Sequence, residues 1–115
     1  MDSDKSIFEK IIDREIPANI LMENDDAIVI ADINPQAPVH ALIIPKKRIN
    51  RIDAATENNA EILGKLLLTA KEFAEQEKIT DGFRLVINNG KNALETVPHL
   101  HIHFLAGTKM KWPPC

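Results

Sequence analysis

Three histidines stand at alternate positions in Pro98-His99-Leu100-His101-Ile102-His103-Phe104, with Leu100, Ile102 and Phe104 filling the gaps. Successive side chains of a strand point to opposite faces, so this segment would carry imidazole on one side and hydrocarbon on the other. Imidazole titrates near neutrality, ligates metals and can attack phosphorus, so three on one face concentrate reactive nitrogens that packing alone does not require. The chain has one further histidine, His40. Two chemistries fit: catalysis by imidazole, or a zinc site using two or three of these histidines with His40 and a carboxylate.

The elements that must position these residues can be read from spacing. Ser6-Ile7-Phe8-Glu9 fits a capping box, and Ile7, Phe8, Ile11 and Ile12 recur at helical spacing before Pro17, which predicts a short amphipathic helix. Asn19 to Glu23 and Ala27 to Asp32 read as strands joined by Asn24-Asp25-Asp26, and His40 to Ile44 reads as a third. Two prolines make Asp32-Ile33-Asn34-Pro35-Gln36-Ala37-Pro38 a rigid connector. From about Glu57 to Glu77 the residues Ile62, Leu63, Leu66, Leu67, Ala70, Phe73 and Ala74 form one stripe, with Glu61 and Lys65 paired outside it. After Asp81-Gly82, Phe83 to Asn88 is a fourth strand, Asn89 to Val97 a loop, and the histidine segment the fifth strand.

The expected fold is α+β, a five-stranded antiparallel sheet with one long helix on one face and a short N-terminal helix. Leu100, Ile102 and Phe104 should face the long helix. The histidine face must then be covered by ligand, water, the first helix or a second subunit. At 115 residues with 44% apolar content, residues 1–115 are expected to form one domain. A net charge of −3 with interspersed signs, and no basic run longer than Lys46-Lys47-Arg48, argues against a nucleic-acid partner. The sole cysteine, Cys115, allows no intrachain disulfide; the polar start Met1-Asp2-Ser3-Asp4-Lys5 has no signal-peptide core, and no apolar run spans a bilayer. A cytoplasmic protein without a membrane partner is expected.

The segment His99-Leu100-His101-Ile102-His103-Phe104-Leu105 resembles the signature of the histidine triad family, His-apolar-His-apolar-His followed by two apolar residues. The similarity extends to that family's nucleoside phosphoramidase-like branch through Ile7-Phe8, Glu15-Ile16-Pro17, Asp32 to His40, Ile44-Pro45-Lys46-Lys47 and Trp112-Pro113-Pro114. This resemblance implies a homodimer that binds a purine nucleotide and cleaves bonds, often P–N, at its α-phosphorus through a nucleotidylated histidine. It needs no metal or cofactor. His101 would be the nucleophile, His99 would orient it through the strand backbone, and His103 and His40 would sit beside the phosphate and relay a proton. Asp32 would hold the ribose hydroxyls, Phe8, Ile11, Ile30 and Ile33 would line a purine slot, and Asn88 and Thr96 would hydrogen-bond phosphate or leaving-group oxygen. Within the same chemistry a dinucleoside polyphosphate hydrolase or a nucleotidyltransferase differs only in leaving group. A non-catalytic nucleotide- or zinc-binding scaffold is the reading from another class.

The phosphate loop of this branch usually reads Gly-Gly-Gln-Ser/Thr-Val before the triad, where this chain has Ala93-Leu94-Glu95-Thr96-Val97, so the resemblance places Leu94 and Glu95 with Thr96 among the nucleotide-binding residues. Leu94 resists the positive φ that glycine allows, and a glutamate about 4 Å from a phosphate charge costs on the order of 4 kcal/mol at intermediate dielectric. Glu95 is therefore expected to point outward. Arg48 stands where relatives often have a relay histidine; it cannot shuttle protons near neutrality, and could instead bind a leaving group or pair with Glu95. The tail from Ala106 to Cys115 is expected to dock near the partner subunit's site.

Overall fold

Ser6 begins the first helix as its spacing predicts. Its hydroxyl accepts from Glu9 N–H at 3.0 Å and the Glu9 carboxylate accepts from Ser6 N–H at 2.9 Å, closing the capping box. The computed structural model describes residues 4–114; Met1, Asp2, Ser3 and Cys115, on which the compartment expectation partly rests, lie outside them. Helix α1 (Ile7–Ile12) leads to β1 (Ile20–Glu23), β2 (Ala27–Ala31), β3 (Val39–Pro45), α2 (Ala60–Gln76), β4 (Phe83–Val86) and β5 (Ile102–Ala106). The five strands form one antiparallel sheet in the order β1-β2-β3-β5-β4. Among the described residues no helix is long and apolar enough to cross a membrane.

Alternation along the strands gives the sheet two apolar faces. Val29, Ala41, Ile43, Ile102 and Phe104 pack against Leu66, Ala70 and Phe73 of α2, with the Phe73 and Phe104 rings edge to face at 5.0 Å. Ile28, Ile30, Leu42 and Ile44 pack on the opposite face against Phe8 and Ile11 of α1. Each helix thus buries its apolar stripe against one side of the sheet, and the first helix covers the histidine face.

Four expectations about the elements need correction. The long helix is preceded by a 3-10 turn at Glu57–Asn59 rather than starting at Glu57, and Leu67 is not in its buried stripe but 54% exposed beside Leu68 at 58%. The fourth strand stops at Val86, short of Asn88. The fifth starts only at Ile102, so His99 and His101 precede the paired region. The cause is Pro45. The register pairing Ile43 with Ile102 would continue through Ile44 and His101 to set Pro45 against Leu100, and proline has no N–H to donate. Leu100 N–H turns to Ile49 C=O at 2.6 Å, and the Pro45 carbonyl goes to the His99 ring instead.

Candidate active site

His99 is fully buried and His101 is 8% exposed. The expected division of faces holds: Leu100, Ile102 and Phe104 join the α2 core, while both imidazoles meet the edge of Phe8, at 5.7 Å for His99 and 4.9 Å for His101. His99 Nε2 lies 2.9 Å from Pro45 C=O and its Nδ1 lies 2.7 Å from the Ser6 hydroxyl. His101 Nδ1 lies 2.8 Å from the carbonyl of His99. A carbonyl only accepts, so Nδ1 of His101 carries the proton and a neutral ring leaves its Nε2 lone pair free. Burial pushes His99 below the ordinary imidazole value, which keeps that ring neutral.

The other two histidines form a second pair. Gln36 N–H, on the proline-bounded connector, donates to His40 Nδ1 at 3.0 Å, so in the neutral ring the proton sits on Nε2. From there it donates to His103 Nδ1 at 3.0 Å, which leaves His103 with its own proton on Nε2. The connector is held close by Gly107, at φ 94°, where an added Cβ would come within 2.8 Å of Pro38. His103 is also pushed down, first by burial and then by the neighbouring His101 and His40. The His101 and His103 rings stand 5.2 Å apart, so the two pairs adjoin.

Asp32 accepts from Asn34 N–H at 2.8 Å and sets its other oxygen 3.4 Å from His40 Nε2. Asp32, His40 and His103 each offer one ligand atom, all within 4.8 Å of one another, which among the described residues is a set that could hold a metal ion. Asp32 also belongs to a cavity of about 440 Å³ whose lining includes Phe8, Ile11, Ile30, Ile33 and Leu42. The four apolar residues read from the sequence as one slot are therefore brought together. Ile33 stands fully exposed at its edge.

The loop before the triad departs most from expectation. Glu95 does not point outward: Arg51 grips it through Nε at 2.9 and 3.1 Å and through a terminal nitrogen at 2.9 Å, and Gly90 N–H donates to it at 2.9 Å. Arg51 first, and then the Gly90 amide, hold its carboxyl down to about 2. Arg48 does not pair with Glu95; its guanidinium donates to Glu9 at 2.8 Å, Asp4 C=O at 2.8 Å, Pro98 C=O at 3.0 Å and Asn50 at 2.9 Å. Leu94 takes the left-handed conformation after all, at φ 63° and ψ 39°, with its side chain 77% exposed. Asn88 lies two residues beyond β4, where the Val86–His103 register continues toward His101, and Thr96 is exposed. No side-chain hydrogen bond joins either to another of the described residues. Ser6, Arg51 and the Gln36 amide join the site without any sequence pattern that marks them as site residues; Ser6 alone carries a signal, that of a helix cap.

A sheet bearing paired histidines beside an apolar cavity defines a class before it defines an activity. The chain belongs to the HIT domain family, whose model matches residues 13–110. It is 46% identical over 111 residues to a protein named adenylylsulfatase HINT1 of Arabidopsis thaliana, covering 95% of this chain and 76% of the relative. It is also 46% identical over 116 residues to a protein named 14 kDa zinc-binding protein of Zea mays, covering 99% and 91%. A solved HIT family hydrolase of Legionella pneumophila superposes with a TM-score of 0.92 at 40% identity, covering 96% of this chain and all of that one.

Proposed function

We propose that this HIT protein is a purine nucleotide-binding hydrolase that cleaves adenosine or guanosine 5′-phosphoramidates at the α-phosphorus through a nucleotidylated His101. The observation that carries the reading is the commitment of His101 Nδ1–H to the His99 carbonyl, which in the neutral ring leaves Nε2 unprotonated. That nitrogen attacks phosphorus and the P–N bond breaks. The departing amine takes a proton from the His40–His103 pair in its singly charged form, and water then attacks the phosphorus of the enzyme-bound nucleotide and returns a proton to the pair, yielding the nucleoside monophosphate and free His101. The cavity lined by Phe8, Ile11, Ile30 and Ile33 takes the purine, its volume lying within the usual range of small-molecule sites. The carboxylate of Asp32 binds the ribose hydroxyls, and Asn88 and Thr96 serve the phosphate and leaving-group oxygens, beside the loop of Leu94 and Glu95, where Arg51 clamps Glu95.

One domain carries this chemistry and works as a homodimer. The exposed Leu67 and Leu68 of α2 and the open edge of β4 at Phe83 supply unpartnered apolar surface for a second copy. The tail, where Arg84 sits 5.9 Å over the exposed Trp112, reaches the partner's site. A reducing, cytoplasmic location suits a chain with one cysteine. The Asp32, His40 and His103 set favours a second reading, zinc binding, in which a metal would replace the His40–His103 hydrogen bond. Steady-state assays of adenosine phosphoramidate and a dinucleoside polyphosphate, each with and without chelator, separate these. Chelator-resistant turnover with the phosphoramidate as the better substrate supports the proposal; faster polyphosphate cleavage or loss of activity to chelator refutes it.

A further inference from the structure

The cap of the first helix and the nucleophile are joined by protons whose positions are all fixed. Pro45 C=O can only accept, so His99 carries its proton on Nε2, 2.9 Å away. The fully buried ring is neutral, so its Nδ1 is bare and needs a donor. Ser6 is the group within reach, at 2.7 Å. Because Glu9 N–H already donates to the same hydroxyl at 3.0 Å, the single hydroxyl proton is free to point at His99. The His99 carbonyl in turn receives the proton of His101 Nδ1 at 2.8 Å. Arg48 braces both ends, donating to Asp4 C=O and Glu9 on the helix side and to Pro98 C=O just before His99.

We propose that Ser6 is a positioning residue for the reaction: its hydroxyl, donating to His99 Nδ1, locks His99 in one tautomer and orientation and so fixes the carbonyl that aims His101 Nε2 at phosphorus. This rests on the reading of His101 as nucleophile. Ser6 is absent from the lining of the apolar cavity, whereas Phe8 and Ile11 of the same helix are part of it. A loss of aim and a loosening of the helix therefore leave different traces.

Glycine is nearly as good an N-cap as serine but has no hydroxyl, which makes Ser6→Gly the discriminating variant. Its kcat for adenosine phosphoramidate should fall roughly 10–100-fold, the scale of a misplaced reactive group, while its affinity for AMP stays unchanged. Ser6→Thr, which keeps the hydroxyl, should restore turnover. In the wild-type protein, two-dimensional 15N NMR should find His99 protonated on Nε2 and bare on Nδ1. Wild-type kcat in Ser6→Gly, AMP affinity falling in step with kcat, or a proton on His99 Nδ1 would each overturn the proposal. A wild-type protein with no phosphoramidase turnover would instead strike the functional reading, and the NMR measurement would still decide the Ser6–His99 contact.

Discussion

Replacing Leu94 separately by glycine and by alanine should invert the order these two residues show in a helix. Leu94 sits at φ 63° and ψ 39° with its side chain 77% exposed. The left-handed conformation costs an L-residue roughly 1–2 kcal/mol, and alanine inherits that cost while glycine escapes it. Against this, glycine gives up roughly 0.5–1 kcal/mol through the greater freedom of its unfolded chain. Glycine should therefore be the more stable by about 0.5–1 kcal/mol, where a helix interior favours alanine by a similar amount. Both variants lose the same small leucine burial, about 0.5 kcal/mol for a side chain that is mostly in solvent. Relative to wild type, Leu94→Ala should be destabilised and Leu94→Gly unchanged or slightly improved. With a urea slope near 2 kcal/mol/M the two midpoints should differ by about 0.3–0.5 M. Alanine equal to or above glycine would refute the reasoning, because it would mean that the loop feeding the triad does not turn through a left-handed residue.

Stability should also depend on pH in two windows. Burial lowers His99 and His103, so the unfolded chain binds more protons as pH drops below about 6.5, and urea midpoints should fall there after a plateau above neutrality. Glu95, held at about 2 by Arg51 and Gly90, adds stability that is present above its ordinary value of 4.5 and lost as pH falls toward 2; a midpoint rising on acidification would contradict both assignments. Phe73→Ala, which removes a fully buried ring from the contact of α2 with Phe104, should cost about 3–5 kcal/mol in urea denaturation, and a loss under 1 kcal/mol would show that this face is not the main core.

The alternation of Leu100, Ile102 and Phe104 with the histidines, and the helical stripe ending at Phe73 and Ala74, were enough to place the sheet, the long helix and the two faces. Local patterns report which side a residue faces, because that is set by burial. They fail where a distant partner decides. The start of β5 is delayed by Pro45, more than fifty residues away along the chain, which lacks the donor that pairing with Leu100 would need. Leu67 matches the helical period, yet the stripe that meets the sheet runs through Leu66, Ala70, Phe73 and Ala74 and leaves it exposed. Of the candidate site, the alternation of His99, His101 and His103 is legible in the sequence, whereas the hydrogen-bond partners of these histidines and of His40 are not. Glu95 and Arg51 are separated by 44 positions, and no periodicity links them. In the sequence Arg48 shows only its intrinsic chemistry, a fixed charge that cannot carry a proton near neutrality. Its place against Glu9, Asp4 and Pro98 makes it a brace between α1 and the histidine segment.

The most direct measurement is the intact mass and peptide map of protein quenched during turnover of adenosine phosphoramidate. The wild-type protein should carry one AMP on the peptide containing His101, attached at Nε2. His101→Ala should bind AMP, carry no adduct and show no turnover. An adduct on His99, His103 or His40, or full activity in His101→Ala, would contradict the assignment of His101 as the nucleophile.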